Sequence, residues 1–347
     1  MFVWTKEWVQ ISMKVLIVET QHCHSEIFPL WQKLFENDDC VFWQSKKSSK
    51  LDIKGLLGSD SRVEWMTTHR RPLSSRSHFN LLKRLSPDLI VLNSAETHES
   101  TMPVEAIAER VSVPIIALCH ELGSFQRLSG GQGSIFPLTL SEHLSASKFT
   151  VHASEFHCNG VSPQPEQLHI VVAGTVSPDR RHYPFLLQIA KHLRADEGIT
   201  ILGSCSNKRK WIIKELTRAT DRIRFNSRDR SFPKFVEVIR NSSALASLVE
   251  PDLENFSDYV SNRISGTLNL SVGLQKPLLG HEAYLSTIPH LSRAHYVAYH
   301  DGNIEEALDE LRENSCEYAK SLKDKKEELM LHSRKTIEDI KKQIGER

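Results

Sequence analysis

The chain has 347 residues, 39% of them hydrophobic and 25% charged, with 44 Lys plus Arg against 43 Asp plus Glu. That length exceeds what one hydrophobic core ordinarily organises, so two domains with a cleft between them are expected. A formal net charge of +1 excludes the broad field of a nucleic-acid or membrane-surface binder, and any anionic ligand must be held by a local site.

The elements begin at Met13, which opens "MKVLIVET"; the preceding "MFVWTKEWVQIS" lacks the long apolar core of a signal peptide and reads as an extension or a misplaced start. Strands are expected at 14–19, 40–44, 62–67, 88–93, 114–119 and 148–153, with a helix over 101–111 among the segments between them. A Pro- and Gln-rich linker, "NGVSPQPEQ" (159–167), interrupts the alternation. It restarts with strands at 169–174, 199–204, 222–226, 244–250, 277–280 and 296–301. Strands alternating with helices imply an α/β fold: two Rossmann-like domains, residues 14–158 and 168–315, whose parallel sheets face each other across a cleft. The charged helical end, 316–347, carries Ile337, Ile340 and Ile344 on one face, which must pack on something.

Six cysteines, at 23, 40, 119, 158, 205 and 316, form no C-x-x-C pair, as expected of a reduced, cytoplasmic protein. No apolar run approaches the roughly 18 to 20 residues that span a bilayer, which leaves only peripheral membrane association open. No metal is expected: the histidines of "HCHSE" (22–26) and "HASEFHC" (152–158) have neither H-E-x-x-H spacing nor clustered acidic ligands.

Open parallel sheets bind ligands beyond the carboxyl ends of their strands, and this rule selects the candidate site residues of the first half. His22 and His24 come after the first strand and are expected to contact an acceptor. His120 and Glu121 end the fifth and suit acid–base work or the binding of sugar hydroxyls. Gly174 ends the first strand of the second half, with Arg180 and Arg181 near the next helix start, where a phosphate would sit. In "NRISGTLNLSVGLQKPLLG", Ile264, Leu268 and Val272 mark a buried helix face that Gly273 should stop. Ser265, Gly266 and Thr267 are small enough at its start to let an anion reach the first amides.

"RLSGGQGS" (127–134) contains Leu128 to Gln132, the signature pentapeptide of ATP-binding-cassette ATPases. The G-x-x-x-x-G-K-[ST] loop such an enzyme requires is absent, and the ATPase reading fails with it. Gly130 and Gly131 are then expected in a mobile loop on the acceptor side of the cleft.

These motifs resemble those of the GT-B-fold glycosyltransferases that use nucleotide-sugar donors, especially the retaining bacterial group that builds polysaccharides, glycolipids and glycoproteins. In that family the second domain opens near G-R-x-x-x-x-K-G, whose Arg and Lys neutralise the donor diphosphate. Here Gly174 and Arg180 match the Gly and Lys, and Thr175 replaces the Arg. His120-Glu121 is similar to the family's first-domain His-Asp pair, and "QKPLLG" to its G-K-P turn. The family's paired glutamates would fall at Asn262 and Leu270, neither of them acidic.

The resemblance implies transfer of a sugar from a nucleotide-diphosphate donor to a glycan, lipid or protein acceptor, with no cofactor because the nucleotide sugar is a substrate. Arg180, Arg181 and Ser265–Thr267 would hold the diphosphate, Glu250 and Arg263 the nucleoside or sugar, and Glu121 would orient His120 beside the reacting carbon. The terminal helix would cross back to the first domain. Retention or inversion is left open. A catalytically silent subunit of the same fold, suggested by the absent glutamate pair, and a nucleotide-sugar epimerase are the alternatives.

Overall fold

The computed structural model describes residues 12–21, 24–57, 62–96, 102–131, 133–141, 149–152, 155, 165–227, 231–300 and 302–346. The first half contributes β1 (Lys14–Val18), α1 (Phe28–Leu34), β2 (Asp39–Ser45), β3 (Val63–Thr68), α2 (Arg76–Leu85), β4 (Leu89–Leu92), α3 (Val104–Ala108), β5 (Ile115–Cys119), α4 (Leu122–Ser129) and β6 (Ile135–Thr139). The second half contributes β7 (His169–Ala173), α5 (Phe185–Lys191), β8 (Gly198–Leu202), α6 (Lys210–Ala219), β9 (Ile223–Asn226), α7 (Phe232–Arg240) and β10 (Ala244–Ala246). It continues through α8 (Phe256–Ser261), α9 (Gly266–Leu274), β11 (Leu278–His281), α10 (Glu282–Leu285), β12 (Tyr296–Tyr299) and α11 (Ile304–Gly345).

Both sheets are six-stranded and parallel, in the orders β3-β2-β1-β4-β5-β6 and β12-β11-β10-β7-β8-β9. Read from its own first strand, each has the same doubly wound order, which changes direction between β1 and β4 and again between β7 and β10. Strands such as "LIVL" in β4 are buried along their whole length. Helices cover both faces of such a sheet, so its strands read as continuous apolar runs rather than alternating ones.

Four local readings change. Ile135–Thr139 is a strand that the sequence hides behind Pro137; as the edge strand of its sheet, β6 tolerates a residue with no N–H. Of 148–153, residues 149–152 are described, and they contribute a single bridge, Thr139 to Thr150, rather than a strand. Helix α9 does not stop at Gly273: it runs to Leu274 and is closed by Gln275 in the left-handed conformation (φ 57°). The helix expected over 101–111 is ordered as α3 at 104–108.

Helix α11 starts at Ile304 and crosses to the first half. There Ile337 and Ile340 are buried, Arg334 Nη2 lies 2.8 Å from Glu36 Oε1, and Lys341 pairs with Asp38. Ser333 Oγ accepts the His152 amide at 3.0 Å, and Thr336 Oγ1 donates to Thr150 O at 3.1 Å. One apolar cluster joins α1 and the first sheet, through α11, to Val171 and Leu245 of the second. The halves are therefore seated on a common core behind the cleft. No described helix is long and apolar enough to cross a membrane. The expected linker falls largely outside the described residues, as do 1–11 and His22.

Candidate active site

The switch between β1 and β4 opens the first crevice. Glu19 comes directly after β1 and is wholly buried; Asn93, just past β4, donates from Nδ2 to Glu19 Oε2 and to the His24 carbonyl, each at 2.7 Å. Asn93 Oδ1 accepts from Trp31 Nε1 at 2.6 Å, so the amide is fixed from both ends. Burial pushes the Glu19 carboxyl up to about 7, against the opposing pull of the Asn93 hydrogen bond.

His24 turns the chain in the left-handed region (φ 72°), where a residue with a Cβ is uncommon, and this turn directs the next residues into the cleft. Its Nδ1 lies 3.3 Å from Glu26 Oε1, and both side chains are about a third exposed (35% and 34%). Burial alone would raise the Glu26 pKa; the hydrogen bond and charge of His24 outweigh it and hold the carboxyl below its ordinary range. His120 stacks behind His24 with ring centroids 4.0 Å apart, and its Nε2 lies 3.1 Å from Asn93 O. Burial, followed by the charge of His24, lowers the His120 pKa and keeps that ring neutral.

The second crevice has a floor made of backbone. Gly174 ends β7 with φ 110° and Gly203 ends β8 with φ 148°. A Cβ on Gly203 would lie 2.1 Å from Gly174 O, so the two strand ends approach closely enough to require glycine. Over this floor the Arg181 guanidinium donates to Ala173 O at 2.7 Å and to Thr175 O at 2.9 Å. Ser265 occupies the cap position of α9 without capping it. Gly266 has open space where a Cβ would stand. Thr267 is 2% exposed, and its Oγ1 has no hydrogen-bond partner among the described residues. An uncapped helix start, a missing Cβ and an unpartnered buried hydroxyl together form a seat for an anion.

Two adjoining cavities join these crevices. The larger, about 990 Å³, runs from His24, Glu26, Lys47 and Lys50 of the first half to Gly174, Thr175, Gly203, Ser204 and Lys210 of the second. The smaller, about 190 Å³, shares Glu26 and Gly174 with it and adds Arg181, Gly266, Thr267 and Leu270. Glu26, Gly203, Lys47, Lys50 and Lys210 are not selected by sequence motifs. Glu26 nevertheless lies within "HCHSE", and Gly203 ends a strand.

Several expected residues sit elsewhere. Arg180 is exposed and outside both cavities; a turn from Ser177 (Arg180 N to Ser177 O, 3.0 Å) points the chain outward before Arg181 returns over Gly174. Glu121 does not orient His120. It pairs with Arg263 (3.2 Å) in an antiparallel bridge between the halves, beside a hydrogen bond from Leu122 N to Asn262 O at 3.2 Å. Glu250 is buried and accepts from the Tyr299 hydroxyl, behind the cleft surface. Gly130 and Gly131 come after the last turn of α4, which starts at the carboxyl end of β5 and carries the chain to the amino ends of the strands, where the adjacent β6 begins. Neither glycine lines the two cavities. Leu270, one of the two expected acidic positions, presents an apolar wall to the smaller cavity. Among the described residues no group of three His, Cys, Asp or Glu is arranged to hold a metal.

No family model and no curated protein matches this chain. Solved structures match its architecture along nearly the whole length. Alr3699/HepE of Anabaena, solved in complex with UDP and glucose, superposes with a TM-score of 0.58 at 9% identity, covering 95% of this chain and 99% of that one. The glycosyltransferase VinC, in complex with dTDP, gives 0.53 at 13% identity over 96% and 100%. AviGT4, a glycosyltransferase involved in avilamycin A biosynthesis, gives 0.54 at 10% identity over 96% and 98%. The chain has the GT-B fold.

Proposed function

We propose that this GT-B-fold chain is a glycosyltransferase that moves a sugar from a nucleotide-diphosphate donor to a glycan, lipid or protein acceptor. The observation that carries the reading is the pairing, across one cavity system, of an anion seat (Gly174, Arg181, Gly266, Thr267) with a His24–Glu26 pair. HepE and VinC, structures of the same fold, were solved with UDP and dTDP bound, which supports a nucleotide as one ligand of this chain.

In this mechanism the donor diphosphate lies at the start of α9 beneath Arg181. As the bond between the anomeric carbon and the phosphate oxygen breaks, its electron pair stays on that oxygen, where the guanidinium and the first-turn amides stabilise it. The acceptor oxygen forms the new bond to the anomeric carbon and releases its proton to the His24–Glu26 pair. Glu26, held below the usual range by its hydrogen bond with His24, accepts from Nδ1–H of the neutral imidazole and leaves its Nε2 lone pair to take the proton. His120, neutral and stacked, keeps His24 in its left-handed turn.

Transfer and donor hydrolysis measured with UDP-, dTDP- and GDP-sugars test this reading. His24→Ala should lower turnover about a hundredfold or more while donor affinity is kept, the usual scale for a positioned base. Arg181→Ala should weaken nucleoside diphosphate binding about tenfold or more, as for a lost hydrogen bond to a charged group, and Arg180→Ala should leave it unchanged. Donor binding without turnover for every acceptor supplied would favour a catalytically silent subunit, the reading that Leu270 and Asn262 support by replacing the family's acidic pair.

A further inference from the structure

The proposed donor site is short of positive charge on its own side. Thr175 stands where the resembled family places an arginine, and Arg180 is exposed outside both cavities. Arg181 spends two of its donors on the carbonyls of Ala173 and Thr175. A nucleoside diphosphate carries about two to three negative charges, so one shared guanidinium, a helix start and the single ammonium of Lys210 at the start of α6 leave part of that charge unmatched.

The opposite wall carries the remainder. After β2, the short turn Ser48–Leu51 holds Lys50, with Lys47 immediately before it, and both line the cavity that contains Gly174, Thr175 and Gly203. Both lysines are exposed, and neither forms a salt bridge among the described residues. With Lys210 at the start of α6, three lysines face Glu26, the one carboxylate among the described residues lining that cavity. This excess is local: across the whole chain the formal charge is only +1.

We infer that Lys47 and Lys50 of the first half complete the diphosphate site of the second, so that the donor is held by cations from both sides of the cleft. The inference rests on the glycosyltransferase reading and extends it: tight donor binding then requires both halves. A flexible ammonium on each of two neighbouring positions suits a phosphate that must later leave, since each acts as a point charge rather than a rigid fork.

The test uses the full chain and titrates UDP, dTDP, GDP and ADP, each beside its nucleoside, by calorimetry. The variants are Lys47→Ala, Lys50→Ala, the double variant, Lys47→Arg, and Lys54→Ala as a basic neighbour that does not line the cavity. Each alanine should weaken the preferred diphosphate about two- to fivefold at low salt, less at high salt, and leave nucleoside affinity unchanged. Lys47→Arg should retain binding, and Lys54→Ala should match wild type. Wild-type diphosphate affinity in the double variant would overturn the inference while leaving the glycosyltransferase reading intact. The same affinity with a raised acceptor KM would overturn it in favour of an anionic acceptor at these lysines. Equal loss of nucleoside and diphosphate would reduce the lysines to a structural role. If wild type binds none of the four diphosphates, the inference and the reading beneath it both fail.

Discussion

The two halves repeat one strand order, yet the same place in each carries opposite chemistry. Beyond β1 and β4 lie Glu19, His24, Glu26 and Asn93, groups that titrate or fix a titrating neighbour. Beyond β7 and β8 lie Gly174 and Gly203, with backbone amides and one arginine tied to carbonyls. The fold supplies a crevice twice, and the residues after the strand ends decide whether it handles protons or holds an anion. The first crevice should therefore respond to pH and tolerate changes of size, whereas the second should ignore pH and fail when atoms are added.

The largest expected effect is on the second side. Gly203→Ala puts a Cβ 2.1 Å from Gly174 O, a backbone atom that cannot swing away, at a φ of 148° that disfavours any side chain. We expect a loss of about 3 kcal/mol or more in urea unfolding, the scale of overpacking combined with backbone strain. Unchanged stability would mean that the two strand ends do not approach as described, and the anion seat built on them would lose its floor.

On the first side the expected effect is a slope. Glu19 ionises near 4.5 when free and near 7 when buried, so the folded chain binds the proton more tightly than the unfolded one. A raised carboxyl pKa contributes stability below the unfolded value, and that contribution is lost as pH rises through the folded value. Between about pH 4.5 and 7 the loss approaches about 3 kcal/mol, since a proton held tenfold more tightly corresponds to about 1.4 kcal/mol. Glu19→Gln should flatten this part of the stability profile, whatever it does to stability at one pH. A variant whose profile parallels wild type across that window would show that Glu19 does not set the slope.

The contrast also explains what the sequence could and could not show. Apolar runs such as "KVLIVE" and "HIVVAG" announce buried parallel strands whose ends lead to His24 and Gly174, and the small residues at a helix beginning lead to the start of α9. Spacing misleads where a turn intervenes: Arg180 lies at the family distance from Gly174, but the turn at Ser177 leaves Arg181 over the glycine. Proximity in sequence misleads where a helix intervenes. Gly130 is close to His120 along the chain, yet the eight residues of α4 carry it about 12 Å along the helix axis to the amino ends of the strands. Glu26 was hidden because its place in the cleft depends on the left-handed turn at His24, a conformation no residue type announces there. Lys47 and Lys50 gain meaning only when the second half is opposite them, which is tertiary information.

The smallest expected effect separates stability from binding at a single atom. Gly266 opens α9, its φ is ordinary, and a Cβ there meets nothing within 4 Å. Gly266→Ala should therefore leave the fold intact and stabilise it by about 0.5 kcal/mol, since alanine restricts the unfolded chain more than glycine does. The space it fills belongs to the smaller cavity, where the diphosphate would approach the first amides and the unpartnered Thr267 hydroxyl. Nucleoside diphosphate affinity should fall about fivefold or more while the unfolding midpoint rises or holds, a pairing that a purely structural glycine does not produce. A stabilised variant that binds as wild type would move the anion away from the start of α9 and leave Arg181 and the strand-end glycines as the remaining seat.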